Sequence, residues 1–80
     1  MDDMMDGDRL LSPRAASAMS GGISASTMRR LVTAGQYPRP VVLSRTRSGK
    51  PARVAYSARE VAAWVACRIA ADRVTGPEAA

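Results

Sequence analysis

The sequence predicts a mainly α-helical fold with three helices and one small β-hairpin. Two short segments with helix-capping residues are separated by a glycine turn, and two β-branched runs then flank a polar, basic segment. A third helix is predicted at Ser57-Ala58-Arg59-Glu60, which has the pattern of a capping box. Eighty residues allow one small core. We therefore expect an acidic disordered tail over residues 1–8, one domain over 9–73 and a C-terminal tail over 74–80.

The first predicted helix spans residues 13–19. Ser12 can cap its amino end, and Pro13 suits the first helical position because its missing N–H would have no partner there. Ser20-Gly21-Gly22 ends the helix in a tight turn. The preceding Arg9-Leu10-Leu11 is either a brief strand or an extended lead-in.

The second predicted helix spans residues 25–34 and follows the glycine turn, which produces a helix-turn-helix pattern. Ser24 is its expected N-cap, and Gly35 suits the left-handed backbone that ends many helices. At about 100° per residue, the core-facing side carries Met28, Leu31 and Val32. The opposite side carries Ser26, Arg30 and Thr33, with Arg29 on the flank. Such a helix is either a DNA recognition helix or an ordinary amphipathic surface helix.

A β-hairpin with a long basic tip is predicted after the second helix. Pro38 and Pro40 forbid a helix and impose an extended path. Residues 41–43 and 53–56 follow as short strands, and the polar residues 44–52 join them. This joining segment is either a flexible surface loop or a wing that reaches nucleic acid.

The third predicted helix begins after Ser57 and runs to about Arg73. Its core-facing side carries Val61, Trp64, Val65 and Ile69 at helical spacing. Trp64 is the only tryptophan, and we assign it to the core because it offers the largest apolar surface in the chain.

Charge is distributed unevenly along the chain, although the net charge is only +5. Residues 1–8 hold four aspartates and no base, whereas residues 9–59 hold ten bases and no acid. The bases of this central stretch therefore have no local carboxylate partners, and an external polyanion is their natural partner. Eleven of the twelve bases are arginine, which suits bidentate contact to phosphate or guanine.

Composition argues against catalysis and against a metal site. The chain has no histidine and only one cysteine, Cys67, so the commonest general base and the commonest metal ligands are missing. We expect no catalytic residues, no cofactor, no bound metal and no small-molecule substrate. The sequence also lacks a long apolar run and a secretory signal, so we expect a cytoplasmic protein without a membrane partner.

Several separated motifs resemble the AlpA-like and excisionase-like family of small phage and prophage DNA-binding proteins. The segments are Arg9-Leu10-Leu11-Ser12, Gly22-Ile23-Ser24-Ala25-Ser26-Thr27-Met28-Arg29-Arg30-Leu31, Gly35-Gln36-Tyr37-Pro38-Arg39-Pro40-Val41, and Val54-Ala55-Tyr56-Ser57 with Glu60-Val61 and Trp64. The second is similar to the family's G-L-S-x-S-T-[IV]-x-R-L and the third to its G-x-F-P-x-P-[VI]. Three departures are Ala15, where the family often has glutamate, a longer hairpin tip, and Tyr56, where tryptophan or phenylalanine is common.

The resemblance implies a MerR-like winged helix-turn-helix with three helices plus a wing, in a bacterial host cell. It implies a recognition helix that reads double-stranded DNA through Ser24, Ser26, Thr27, Arg29, Arg30 and Thr33. It implies wing and backbone contacts from Arg39, Arg45, Arg47, Lys50 and Arg53.

Within this family the small size favours an excisionase, also called a recombination directionality factor, over a transcriptional regulator that binds an operator. An excisionase would bind repeated sites, bend DNA and direct a phage integrase toward excision, with head-to-tail self-association on DNA. An alternative from another class is a protein-interaction adaptor whose basic face binds an acidic partner.

Overall fold

The computed structural model describes residues 8–73, which form three helices and one three-stranded antiparallel sheet. In chain order the elements are β1 (Leu10–Leu11), α1 (Pro13–Met19), α2 (Ala25–Thr33), β2 (Val41–Arg45), β3 (Pro51–Ser57) and α3 (Ala58–Ala71). The prediction of three helices is confirmed. Most of the two predicted tails, residues 1–7 and 74–80, lies outside the described residues.

The sheet is larger than the predicted hairpin, because Leu10–Leu11 adds a third strand. The strand order is β1–β3–β2, and β1 pairs with the far end of β3 through Leu10 opposite Ser57 and Leu11 opposite Tyr56. The Ala58 N–H donates to the Arg9 carbonyl at 2.8 Å and extends this pairing. Two residues are too few to show the alternation of apolar and polar side chains that predicts a strand, and the pairing strand lies more than forty residues away. The sequence around Leu10–Leu11 therefore carries little local signal for β1.

The hairpin strands are longer, and its tip shorter, than predicted. The ladder between β2 and β3 continues as far as Arg45 opposite Pro51, so the connecting tip is residues 46–50 and not 44–52. The pairing register shifts on both sides of Ser44. Ser44 and Arg45 can therefore belong to the strand although the sequence there does not alternate between apolar and polar residues.

Both short helices end as their glycines predict. After α2, Gly35 has a φ of 75°, and the Gln36 N–H donates to the Leu31 carbonyl at 2.7 Å, which is a Schellman motif. The same pattern closes α1, where the Gly22 N–H donates to the Ser17 carbonyl at 2.7 Å. The two helices therefore meet at a fixed turn.

The core lies where the helices meet the inner face of the sheet. Its buried residues are Leu11, Ala16, Met28, Tyr37, Tyr56 and Val61, with Leu31, Val32, Trp64 and Val65 packed against them and half-buried. Tyr37, which the sequence analysis did not assign to the core, is only 4% exposed. Its ring packs edge-on against Tyr56 and Trp64, at centroid distances of 5.6 and 4.7 Å.

The last helix, α3, ends at Ala71 and not at Arg73. Its Ser57 cap is confirmed, since the Glu60 N–H donates to the Ser57 Oγ at 3.1 Å. Ile69, predicted to face the core, is 52% exposed, because the end of the helix extends past the small core. No helix within residues 8–73 is long and apolar enough to cross a membrane.

Asp8 supplies a second cap for α3 from the other end of the chain. Its carboxylate accepts hydrogen bonds from the Ser57 hydroxyl at 2.5 Å and from the Arg59 N–H at 2.9 Å. These two bonds, the hydroxyl bond first, lower the pKa of Asp8 below its usual value. Sequence analysis had placed Asp8 in the acidic tail, yet it joins the start of β1 to the start of α3.

We expect Asp8→Asn to lower stability near neutral pH and to remove part of the acid sensitivity of folding. Because the folded-state pKa lies below the ordinary value of 3.8, the Asp8 contribution is present above pH 3.8 and is lost as the pH falls through the folded pKa. The free energy of unfolding, measured by urea titration from pH 7 to pH 2, should therefore converge for the two proteins at low pH.

Glu60→Gln is the matched control, because Glu60 is a carboxylate in the first turn of the same helix. It should leave the pH dependence closer to that of the wild type. An Asp8→Asn protein with an unchanged stability difference across the whole pH range would contradict the assigned role of Asp8.

Trp64 connects α3 to the segment that follows α2. Its indole Nε1–H donates to the Gln36 carbonyl at 2.7 Å, and the Arg68 guanidinium lies 5.4 Å from the ring centroid. Gln36 is the residue whose N–H closes the Schellman motif of α2. The hydrogen bond therefore attaches the carboxyl end of α2 to the last helix.

We expect Trp64→Phe to destabilise the fold by about 1–2 kcal/mol, since the substitution removes one hydrogen bond and weakens the stacking of Arg68. Urea unfolding followed by circular dichroism measures this change. Tyr56→Phe is the control: it also deletes one polar group from the aromatic cluster, but that hydroxyl makes no hydrogen bond to residues 8–73. Equal effects of the two substitutions would show that the Gln36 bond contributes nothing.

Candidate nucleic-acid interface

The exposed face of α2 gathers four of the predicted recognition residues. Ser26, Arg29, Arg30 and Thr33 are all exposed and line one open depression together with Ala34. Met28, on the opposite side, is only 4% exposed and belongs to the core. The helix therefore shows the division into a core side and a polar side that its sequence predicts.

Ser24 and Thr27 have a structural task at the start of α2. The Ser24 Oγ accepts from the Thr27 N–H at 3.1 Å and donates to the Thr27 Oγ1 at 3.0 Å. Both hydroxyls are thus engaged with each other. The Ser26 Oγ also lies within hydrogen-bond distance of the Ser24 Oγ, at 3.3 Å.

The two neighbouring arginines of α2 have different surroundings. Both arginines line the depression on the exposed face of the helix, and Arg29 also borders a second, largely apolar cleft. That cleft separates α2 from the sheet and is lined further by Pro13, Ala25, Met28, Val32, Pro40, Val54 and Tyr56. Arg29 therefore stands on the hairpin side of α2, and Arg30 faces away from the core.

The hairpin tip is an ordered turn that holds two bases, Arg47 and Lys50, and follows a third, Arg45. The Thr46 N–H donates to the Lys50 carbonyl at 2.8 Å, and the Lys50 N–H returns to the Thr46 Oγ1 at 3.1 Å. The Arg45 Nη1 donates to the Gly49 carbonyl at 2.9 Å, where Gly49 has a φ of 93°. Among these bases, Arg45 alone uses its side chain to hold the tip.

Arg47 and Lys50 are exposed at this tip, and their side chains form no hydrogen bond or ion pair with any residue of 8–73. Arg39 is also exposed, between Pro38 and Pro40. Arg53 lies next to Val54 on β3, so alternation places it on the face of the sheet opposite the apolar cleft. Arg47 and Lys50 therefore lie together in the tip, whereas Arg53 lies outside it, on β3.

Acidic residues within 8–73 are confined to the surroundings of α3. Asp8 and Glu60 lie at its start, and Asp72 follows its end. The one ion pair in this part of the chain joins Arg68 to Asp72, and both side chains are well exposed, so its stabilising effect is small. The arginines of α2 and of the hairpin therefore have no carboxylate partner among the described residues.

No group of three or more potential metal ligands is found within residues 8–73. The buried side-chain polar atoms of the same residues all have hydrogen-bond partners.

Sequence reasoning missed three contacts that shape this surface. They are the Asp8 cap, the Trp64–Gln36 hydrogen bond and the Arg45–Gly49 hydrogen bond. Glycine at position 49 was a usable signal for the third, because a tight turn at residues 46–50 would bring Arg45 close to that backbone. The other two join residues distant in the chain and have no local signal.

Comparisons with protein-family profiles, with curated proteins and with solved structures find no match to this chain.

Proposed function

We propose that this chain is a winged helix-turn-helix protein that binds double-stranded DNA in a sequence-dependent manner. The observation that carries the proposal is the exposed face of α2, where Ser26, Arg29, Arg30 and Thr33 form one surface free of carboxylates. Arginine and hydroxyl side chains on an exposed helix suit the base edges and phosphates of the major groove.

In the proposed complex α2 lies in the major groove. Arg30, which faces directly away from the core, is the candidate for bidentate contact to guanine. Arg29, on the hairpin side of the helix, is the candidate for a flanking phosphate. Attachment of Gln36 to Trp64 holds the carboxyl end of the helix, which limits how far the reading side chains can tilt.

The hairpin acts as the wing in this proposal. Arg47 and Lys50 project from its tip and would contact the phosphate backbone or an adjacent minor groove. The absence of acids between Arg9 and Arg59 favours such a polyanion over a partner of mixed charge.

We propose an excisionase role as the finer assignment, with a phage integrase as the protein partner. The support is the order of motifs from Arg9-Leu10-Leu11-Ser12 to Trp64, which resembles the AlpA-like and excisionase-like family. An operator-binding regulator would use the same recognition helix and wing. The two roles differ in how the protein loads on DNA, and this difference can be measured.

We expect Arg30→Ala to reduce affinity for the preferred DNA site by about 1–3 kcal/mol and to relax base preference at one or two positions. Selection from a random duplex library identifies the site, and titrations by fluorescence anisotropy on matched and mismatched duplexes measure the effect. Arg59→Ala is the matched control, because it removes the same charge from an exposed position on α3. An Arg30→Ala protein with unchanged affinity and base preference would refute the recognition-helix assignment.

The salt dependence distinguishes DNA binding from an adaptor role. Binding through several phosphates should weaken steeply between about 50 and 200 mM salt. Failure of the wild-type protein to bind any duplex at about 50 mM salt would favour an acidic protein partner for the basic surface.

Circular-permutation gels on a site with direct repeats separate excisionase from regulator. An excisionase should load cooperatively on the repeats and shift mobility according to the position of the bend. One palindromic footprint without a bend would contradict the excisionase assignment and leave DNA binding by α2 intact.

A further inference from the structure

We propose that Arg45 is a positioning residue that orders the hairpin tip and thereby presents Arg47 and Lys50. This inference rests on the proposed DNA-binding function and changes the role that sequence reasoning gave to Arg45. Sequence alone treats the three bases as equivalent phosphate contacts. The structure gives Arg45 a different environment from Arg47 and Lys50, because only its side chain bonds to the turn.

Side chains and backbone groups of the tip bond to one another across the turn. The Arg45 Nη1 reaches across the turn to the Gly49 carbonyl at 2.9 Å. The Thr46 Oγ1 lies 3.1 Å from the Ser48 Oγ and accepts from the Lys50 N–H at 3.1 Å. These contacts close a five-residue turn that has no apolar side chain to pack.

Arg45 is suited to this task by its place in β2. It is the last residue of the strand, opposite Pro51, which has no N–H to donate across the ladder. The guanidinium supplies an additional donor, which reaches across the turn to the Gly49 carbonyl. Since Gly49 has a φ of 93°, its backbone is held in a conformation that glycine adopts easily but does not have to adopt.

An ordered tip matters for binding because flexible cations lose conformational freedom when they contact phosphate. The side chains of Arg47 and Lys50 make no hydrogen bond or ion pair within residues 8–73, so they are available to a ligand. Holding the backbone between them fixes the separation of their Cα atoms before DNA arrives. Arg45 therefore acts on DNA affinity through the other two bases.

The first test uses the free protein. We expect Arg45→Ala to accelerate hydrogen exchange at the Thr46, Gly49 and Lys50 amides by roughly two- to tenfold, the range for loss of one net hydrogen bond. Nuclear magnetic resonance measures these rates without DNA. Arg47→Ala is the matched control, since it removes an equal charge from the same tip and should leave the three rates unchanged. Unchanged rates in Arg45→Ala would overturn the proposal.

The second test is a double-mutant cycle on DNA affinity. Arg45→Ala should weaken binding about two- to tenfold in the wild-type background and less than about twofold when Arg47 and Lys50 are already alanine. An equal effect in both backgrounds would mean that Arg45 contacts DNA directly, and would overturn the proposal.

The two proposals fail in different ways. If the wild-type protein does not bind DNA, the proposed function is wrong, and the exchange rates still decide whether Arg45 orders the tip. If the protein binds DNA but Arg45 is additive with the other bases, the function stands and the positioning role is wrong.

Discussion

Tyr37 makes the contacts on which the rest of this small domain depends. Its ring packs edge-on against Tyr56 of β3 and Trp64 of α3, and its hydroxyl lies 2.7 Å from the Ser20 Oγ at the end of α1. Tyr37, which follows α2, therefore contacts β3, α3 and the residue that ends α1. With few buried residues in the described chain, aromatic area of this kind supplies much of the available burial.

The contacts of Tyr37 hold the carboxyl end of α2, the helix that carries the candidate interface. The segment after α2 is fixed twice, by the Tyr37 ring and by the bond from Trp64 to the Gln36 carbonyl. The amino end of α2 is fixed by Ser24, whose hydroxyl caps the helix. Because both ends of α2 are held, its exposed side chains project from a defined backbone. This order would lower the entropic cost of the proposed binding to DNA.

Local signals allowed the helices to be predicted well, because their caps and stops lie within a few residues of the elements they define. Ser12, Ser24 and Ser57 cap as expected, and Gly35 adopts the left-handed conformation. For Leu10–Leu11 the sequence leaves two alternatives, a brief strand and an extended lead-in, because the strand that pairs with this segment is distant in the chain. Tyr37 was overlooked for the same reason, since it lies between helix and strand with no periodic pattern around it. The face of α2 is predictable from helical spacing, whereas the bond from Arg45 to the Gly49 carbonyl is signalled only by the glycine of the turn and by no pattern at Arg45 itself.

The separation of charge has a physical consequence for the whole domain. Carboxylates among residues 8–73 lie around α3, where Asp8 caps the helix and Asp72 pairs with Arg68. Asp8 and Asp72 are thus engaged within the fold, and the described residues offer no carboxylate partner to the arginines of α2 and of the hairpin. A basic surface without such partners would favour the binding of a polyanion, and more so at low salt. This uncompensated charge, on a helix and a turn that are both held in place, supports the DNA-binding role proposed above.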